Sequence, residues 1–348
     1  MPVVERVLDG QVMINGPEVG ELECQAAGYC QTKFAVGCSS GTDALILSLM
    51  ALGLKPGDEV ITSPFTFFAT AGSIHRQQLK PVFVDIDPDT FNLDAEQLEE
   101  AVNEKTRAIM PVHLFGQMAD MDTVLDVAEK HDLKVIEDAA QAIGAKQNDA
   151  PAGSLGDCGC FSFFPSKNLG GAGDGGLITC QDEETYRRLL MLRNHGAHER
   201  YYHDEVGGNF RLDTLQAAYL SVKLKHLDAW HEGRRSNAAY YNEHLADIDQ
   251  VKTPVIAEGN DSIYNQYTLR VERRDALQKY LAEAGVGSAI YYPLCMHEQQ
   301  CFAYLKHKAG DFPHAEHAAS EVLSIPIYPE LKEEQLAHVV ETIKRFYA

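Results

Sequence analysis

Residues 135–142 read Val-Ile-Glu-Asp-Ala-Ala-Gln-Ala, an apolar run that ends in two adjacent acids before small residues resume. Similar short apolar runs alternate with segments of helical length from Lys33 to about Cys180. This alternation predicts a series of βαβ units and a mostly parallel sheet. Sites in such sheets form beyond the carboxyl ends of the strands, so Asp138 or its neighbour Glu137 is expected to face a functional site.

The predicted elements divide the chain into a larger and a smaller part. Strands are predicted at residues 59–62, 80–84, 107–112, 134–137, 160–163 and 176–179, with helices at 95–102 and 122–131. Helical periodicity from 212 to 245 leads into a C-terminal part with a strand at 264–271 and helices at 275–284 and 333–346. We expect a large domain of residues 1–229, including an N-terminal lead-in of residues 1–32, and a small domain of residues 230–348.

Composition excludes several classes of protein. The 348 residues are 45% hydrophobic and 23% charged, which is typical of a globular protein. A formal net charge of −21 argues against nucleic acid as a partner. Without an apolar run of spanning length or an export segment at the N-terminus, the chain is expected in the cytoplasm and off the membrane. The eight cysteines form neither a zinc spacing nor a disulfide framework, so we expect free thiols and no metal site.

A single lysine stands in the polar turn of residues 161–170, Phe-Ser-Phe-Phe-Pro-Ser-Lys-Asn-Leu-Gly. Lys167 could form an imine with an aldehyde cofactor if its amine is partly neutral. Asp138 would suit the other end of pyridoxal 5'-phosphate (PLP), because a carboxylate keeps the pyridine nitrogen protonated. The alternatives are a surface lysine and a helix N-cap aspartate, and Glu137 is the second candidate for the acid.

A third segment suits a phosphate group. Residues 37–44, Gly-Cys-Ser-Ser-Gly-Thr-Asp-Ala, lead into a helical run, so free N–H groups, the helix dipole and the hydroxyls of Ser40 and Thr42 would favour a dianion. The alternative is helix capping without a ligand. Glycine-rich residues 170–176 precede a strand rather than a helix, which argues against a dinucleotide-binding loop. Phe67 could face the cofactor ring or belong to the core.

These segments resemble the DegT-type (StrS-like) sugar-nucleotide aminotransferases, a branch of the fold type I PLP-dependent enzymes, and within it the sugar 3-aminotransferases. The matching stretches are residues 37–44, 57–70, 81–87, 111–120, 137–142, 161–176, 193–196 and 208–218. The resemblance implies a large domain with a mostly parallel seven-stranded sheet and a smaller C-terminal α+β domain. Segment 10–17 normally comes later in the chain, so the lead-in is short here.

The resemblance also implies residue roles. Lys167 would be the Schiff-base lysine and acid/base, and Asp138 the partner of the pyridine nitrogen. The other cofactor contacts would be Gly41, Thr42 and Ser162 at the phosphate, Phe67 on the ring, Gln141 beside the cofactor hydroxyl, and Asn209, which reaches the phosphate from a neighbouring subunit. A homodimer with shared active sites follows. The substrate candidates are Arg211, for a carboxylate, and Tyr202, His297, His198 and Tyr291, for which surface or packing roles are the alternative.

The implied reaction transfers an amino group from L-glutamate to the keto group of a nucleotide-linked sugar in polysaccharide or glycoconjugate biosynthesis. The preferred acceptor is a UDP-linked 3-keto-hexuronic acid derivative, aminated at C3. The alternative within the class is a dTDP-linked 3-keto-6-deoxyhexose. Two readings from other classes are a PLP-dependent sugar dehydratase, in which His replaces the lysine, and a non-catalytic regulator that keeps the fold.

Overall fold

The computed structural model describes residues 2–348 and contains one large sheet and several small ones. The strands are β1 (Phe34–Cys38), β2 (Glu59–Thr62), β3 (Lys80–Phe83), β4 (Thr106–Ile109), β5 (Lys134–Asp138), β6 (Lys146–Gln147), β7 (Ala150–Pro151), β8 (Cys158–Ser162), β9 (Gly176–Cys180), β10 (Ala197–Glu199), β11 (Tyr202–His203), β12 (Val251–Lys252), β13 (Asn260–Asp261), β14 (Tyr267–Val271) and β15 (Val322–Ile325). The large sheet has the order β1-β9-β8-β5-β4-β2-β3. Its pairings are parallel except those of β9 with β1 and β8.

Helices cover both faces of this sheet and build much of the C-terminal part. They are α1 (Pro2–Gly10), α2 (Pro17–Tyr29), α3 (Gly41–Ala51), α4 (Phe68–Arg76), α5 (Leu98–Ala101), α6 (Met121–His131), α7 (Glu183–Arg193), α8 (Thr214–Leu224), α9 (Leu227–Leu245), α10 (Arg274–Glu283), α11 (Pro313–Glu321) and α12 (Glu333–Tyr347). Over residues 2–348, no helix has both the length and the apolar composition needed to cross a membrane.

Alternation along the strands divides the core into two layers. Val135 packs in the apolar cluster that includes residues of α2, α6 and α8, while Ile136 packs in the cluster that includes residues of α3 and α7. Because successive side chains point to opposite faces of a sheet, Glu137 shares the face of Val135 and Asp138 shares that of Ile136. The end of β5 therefore sends its two acids in opposite directions.

The predicted α/β fold, with a large, mostly parallel sheet, is confirmed. A third apolar cluster joins α9, α10 and α12 to the antiparallel sheet β12-β14-β15 in the C-terminal part. The predicted boundary between residues 229 and 230 falls inside α9, and β13 pairs with β6 across it. The division into two domains stays a prediction.

Several elements differ from those expected. The predicted helical stretch 212–245 is two helices, since α8 ends at Leu224 and α9 begins at Leu227. β1 was not among the predicted strands, because its final residues belong to the glycine turn of the expected phosphate loop. The lead-in of residues 1–32 contains α1 and α2, and both pack against α8.

Candidate active site

Asp138 lies at the carboxyl end of β5, between neighbouring segments of the sheet. Its backbone N–H donates to Pro111 O at 2.9 Å, and its carbonyl accepts from His113 N at 3.0 Å. The side chain is buried, and its Oδ2 accepts a 2.7 Å hydrogen bond from Thr70 Oγ1, while Oδ1 accepts from Ala140 N at 3.3 Å. Burial raises the pKa of Asp138, and these hydrogen bonds only partly oppose the effect.

Glu137 occupies a different environment on the other face of β5. His113 Nδ1 accepts from Ala119 N at 3.1 Å, so its Nε2 carries the proton and donates to Glu137 Oε2 at 2.9 Å. Three backbone N–H groups, those of Gly153, Leu155 and Gly156, also donate to this carboxylate at 2.7–2.8 Å. Burial would raise the pKa of Glu137, but the hydrogen bonds from His113 and from the backbone of Gly156 and Gly153 outweigh it and lower the pKa. The second candidate acid is thus fully bonded within the chain.

Lys167 lies in the turn that follows β8, and the structure brings it within electrostatic range of Asp138. Burial lowers the pKa of Lys167 to about 8, and the negative charge of Asp138 opposes this shift. Part of the amine population is therefore neutral near physiological pH. A lysine amine that is neutral in part is a competent nucleophile and proton acceptor near physiological pH.

The predicted phosphate loop closes on β8. Ser40 caps α3, since its hydroxyl accepts from Asp43 N at 3.1 Å. This bond satisfies one of the four N–H groups that lack an intrahelical partner at a helix N-terminus. A Cβ at Gly41 would lie 2.7 Å from Ser162 Cβ, so only glycine permits this approach. Thr42 is exposed beside it. Gly41, Thr42 and Ser162 thus lie together at a helix N-terminus, where an anion is stabilised.

Gln141 and Phe67 lie on another side of the same region. Gln141 Oε1 accepts from Phe115 N at 2.7 Å, and its Nε2 donates to Tyr292 Oη at 3.0 Å. Phe67 is 57% exposed, with its ring centroid 6.2 Å from that of Tyr292. Sequence reasoning missed Tyr292, because nothing in the spacing distinguishes it from Tyr291. It also missed Thr70, although the family-like stretch 57–70 ends with it.

The remaining candidates lie on the segment that leads into α8, on β11 and in the C-terminal part of the chain. Asn209 bridges to Asn194, and Arg211 donates from Nη1 to Asn194 Oδ1 at 2.8 Å. Arg211 Nε is buried and has no hydrogen-bond partner within residues 2–348. Cys38, near the start of the phosphate loop of residues 37–44, forms a backbone β-bridge with Arg211, which brings this segment to the loop. Tyr202 lies on β11 and is 68% exposed.

His297 requires a correction. It was expected in a substrate loop, but its side chain is buried, with the residue only 4% exposed. Its Nε2 bonds to Glu316 at 3.1 Å, and its ring packs edge-on against Phe312 with centroids 4.8 Å apart. A ring enclosed in this way is not open to a substrate, so the structure gives His297 a packing role.

The residues present fit PLP at each of its functional groups. Asp138 is a buried carboxylate without an ion-pair partner inside 4.0 Å in the described part of the chain, so a protonated ring nitrogen would compensate its charge. Lys167 supplies an amine of lowered pKa for the aldehyde. The N-terminus of α3, with Gly41 and Ser162, supplies N–H and hydroxyl donors for the phosphate.

Comparisons with known proteins agree with this geometry. The model of the DegT/DnrJ/EryC1/StrS aminotransferase family matches residues 1–344. A pleiotropic regulatory protein of Geobacillus stearothermophilus is 52% identical, over 100% of this chain and 94% of the relative. A UDP-N-acetyl-3-dehydro-alpha-D-glucosamine 3-aminotransferase of Acidithiobacillus ferrooxidans is 46% identical, over 98% of this chain and 92% of the relative.

A solved structure has the same fold over nearly the whole chain. It is that of S. venezuelae DesV in complex with a ketimine intermediate, with a TM-score of 0.97 and 40% identity, and the match covers 99% of this chain and 93% of that one. The family match, the extent of the sequence identity and this structural agreement lead to one conclusion: the chain belongs to the DegT/DnrJ/EryC1/StrS aminotransferase family.

Proposed function

We propose that this protein is a PLP-dependent aminotransferase that moves the amino group of L-glutamate to the C3 keto group of a UDP-linked sugar. The observation that carries this proposal is the location of Lys167, an amine with a pKa of about 8, within electrostatic range of the buried Asp138 carboxylate. The net reaction exchanges the amino group of glutamate for the keto oxygen of the sugar and leaves 2-oxoglutarate.

Each residue of the site has a part in this reaction. PLP, when bound, supplies an electron sink for the negative charge that develops at the amino-acid α-carbon. Neutral Lys167 Nζ would accept the proton of the amino-acid α-carbon and donate it to the carbon that was the cofactor aldehyde. Asp138, with Thr70 donating to its Oδ2, keeps a proton on the ring nitrogen. Gly41, Thr42 and Ser162 hold the phosphate, and Phe67 and Gln141 flank the ring.

The acceptor is proposed as a UDP-linked 3-keto-hexuronic acid derivative. The name of the Acidithiobacillus relative supports a UDP-linked sugar and amination at C3. The buried, unpartnered Nε of Arg211 is a donor that a C6 carboxylate would satisfy. Comparing kcat/KM for acceptors that carry a C6 carboxylate, hydroxymethyl or methyl group tests this choice. A dTDP-linked 3-keto-6-deoxyhexose used as well as the carboxylate sugar would overturn it.

We also propose that the protein is a homodimer in which Asn209 serves the phosphate site of the partner subunit. The family resemblance supports this assignment, and the location of Asn209 next to the segment that meets the phosphate loop is consistent with it. Light scattering measures the oligomeric state, and a monomer that turns over at the full rate would refute the shared site. The cytoplasmic location stays a prediction.

The decisive experiment is an absorbance spectrum of the purified protein with PLP, for wild type and Lys167→Ala, before and after L-glutamate. We expect the wild type to show the band of lysine-bound PLP, which glutamate removes as 2-oxoglutarate forms, and Lys167→Ala to show neither. A wild-type protein without the band would overturn the enzyme proposal and favour the regulatory role that the name of the Geobacillus relative describes.

A further inference from the structure

The turn that carries Lys167 is tightly folded, and we call residues 164–171 the lysine turn. Lys167 N donates to Phe164 O at 2.9 Å, and Gly171 N donates to Phe163 O at 2.7 Å. A Cβ at Gly170 would collide with the Pro165 backbone. Because a lysine side chain is long and rotatable, the position of its amine depends on where this turn is held.

Asn168, the next residue, ties the lysine turn to a distant part of the chain. It is only 6% exposed, and its Nδ2 donates to Ile263 O at 3.1 Å. Its Oδ1 is buried and has no hydrogen-bond partner within residues 2–348. A buried amide with one unpaired group costs stability that an apolar side chain would not cost. The hydrogen bond to Ile263 offsets part of this cost.

Ile263 belongs to a fixed segment, residues 262–266, which we call the clasp. Ile263 N donates to Gly116 O at 3.0 Å. Gly116 has a φ of +99°, and a Cβ there would lie 2.8 Å from Asn265 N, so the approach requires glycine. Arg234 Nη1 donates to Tyr264 O at 2.9 Å from α9. The clasp is therefore held from two sides, independently of the lysine turn.

The clasp also leads to the other side of the site. Gly116 follows Phe115, whose N–H donates to Gln141 Oε1 at 2.7 Å. The carbonyl of Ile263 thus accepts from Asn168 in the lysine turn, and the N–H of Ile263 donates to Gly116 in the Phe115–Gly116 turn. We propose that Asn168 is a positioning residue for Lys167, which it fixes through the clasp in register with Gln141 across the cofactor site. This proposal rests on the proposed function.

The test measures attachment of PLP to Lys167 in the cofactor-free full-length protein. Attachment is stopped with borohydride at timed intervals, and the modified Lys167 peptide is quantified by mass spectrometry. Asn168→Ala is expected to slow attachment by about 10-fold, because a displaced amine reaches the aldehyde less often. In steady-state assays we expect kcat to fall by a similar factor, with KM for glutamate unchanged within about twofold.

Asn237 provides a matched control. It is 7% exposed and donates from Nδ2 to Tyr328 O at 2.8 Å, the same chemistry in α9 without the lysine turn. Asn237→Ala is expected to lower thermal stability as much as Asn168→Ala and to leave attachment unchanged. If Asn168→Ala does not fold, Asn168→Leu, which keeps a similar volume and loses the donor without burying a charge, replaces it under the same criteria.

The outcomes separate this proposal from the proposed function. A wild-type protein that attaches no PLP at Lys167 overturns both. Normal attachment by the wild type, together with an Asn168→Ala rate within about twofold of it, overturns only the positioning role. Equal slowing in Asn168→Ala and Asn237→Ala overturns it too, because the effect is then one of general stability.

Discussion

Two adjacent acids of β5 lie in regions with different chemistry. The Glu137 cluster consists of Glu137, His113 and the backbone of residues 153–156, which together give the carboxylate four donors. The Asp138 site consists of Asp138, Thr70, Ala140 and Lys167, and among residues 2–348 only Thr70 and Ala140 donate to the carboxylate. The pKa of Glu137 is lowered and that of Asp138 is raised. The chain satisfies one buried charge completely and leaves the other to be satisfied by a ligand.

The number of hydrogen-bond donors around each carboxylate distinguishes a structural acid from a functional one more clearly than burial does. Both carboxylates are buried, so burial alone would not rank them as candidates. A carboxylate with a full set of internal donors has no capacity left for a cofactor, whereas one with a raised pKa favours a cationic partner. Substitutions at the two positions should therefore fail in opposite ways.

The largest expected effect is that of Asp138→Asn on activity. A neutral amide cannot stabilise a protonated ring nitrogen, so kcat/KM should fall by about 1,000-fold. The cofactor-free variant should unfold at a temperature equal to or above that of the wild type, because the cost of a buried, poorly compensated charge is removed. Steady-state kinetics and thermal unfolding measure the two effects. A parallel loss of activity and stability would contradict the assigned role.

Glu137→Gln is expected to act on the fold instead. The amide replaces an acceptor with an N–H₂ group that faces donors, so the free energy of unfolding should fall by about 3 kcal/mol. Variant molecules that remain folded should still attach PLP to Lys167. Urea unfolding at pH 7 gives the first quantity and the absorbance of bound PLP gives the second. Loss of attachment in folded protein would place Glu137 in the site.

The loss of unfolding free energy in Glu137→Gln should depend on pH, and its sign follows from the pKa of Glu137. The pKa of Glu137 in the folded state lies below its ordinary value of 4.5, because the opposing effect of burial is overcome by the hydrogen bonds from His113 and the backbone of Gly156 and Gly153. The stabilisation is therefore fully present above pH 4.5 and is lost as the pH falls through the folded-state value. Unfolding curves of wild type and Glu137→Gln should converge in acid. A constant difference would mean that the charge of Glu137 is not the cause.

Local patterns gave candidates for the centre of the site but left alternatives open. Asp138 became a candidate because parallel strands end at a common edge, and Lys167 because one lysine stands in a turn after the neighbouring strand. The glycine turn before a helix indicated an anion site with the hydroxyls of Ser40 and Thr42, whereas the role of Gly41 followed from the family resemblance. Those roles stay predictions, and the structure adds the burial of Asp138 and the lowered pKa of Lys167.

The contacts between these positions were not predictable in the same way. Tyr292 reaches Gln141 from 151 positions away, and Asn168 reaches Ile263 from 95 away, so no local period records either contact. Three of the four hydrogen bonds that Glu137 accepts come from N–H groups in a turn at residues 153–156, and this turn has no sequence signature. For His297 the sequence left substrate binding and packing open, and the burial that favours packing depends on tertiary contact with Phe312.

The smallest expected effect comes from the hydroxyls behind Asp138. Thr70 Oγ1 has one hydrogen, which it donates to Asp138, so Thr66 Oγ1 must donate to Thr70 across their 2.8 Å contact. Thr70→Val keeps the shape and removes this donor, which should raise the pKa of Asp138 further and lower kcat by about 5-fold. Thr66→Val leaves the Thr70 bond in place and should cost less. Kinetics with saturating PLP measure both variants, and a loss in Thr66→Val as large as that in Thr70→Val would contradict the direct role of the Thr70 hydroxyl.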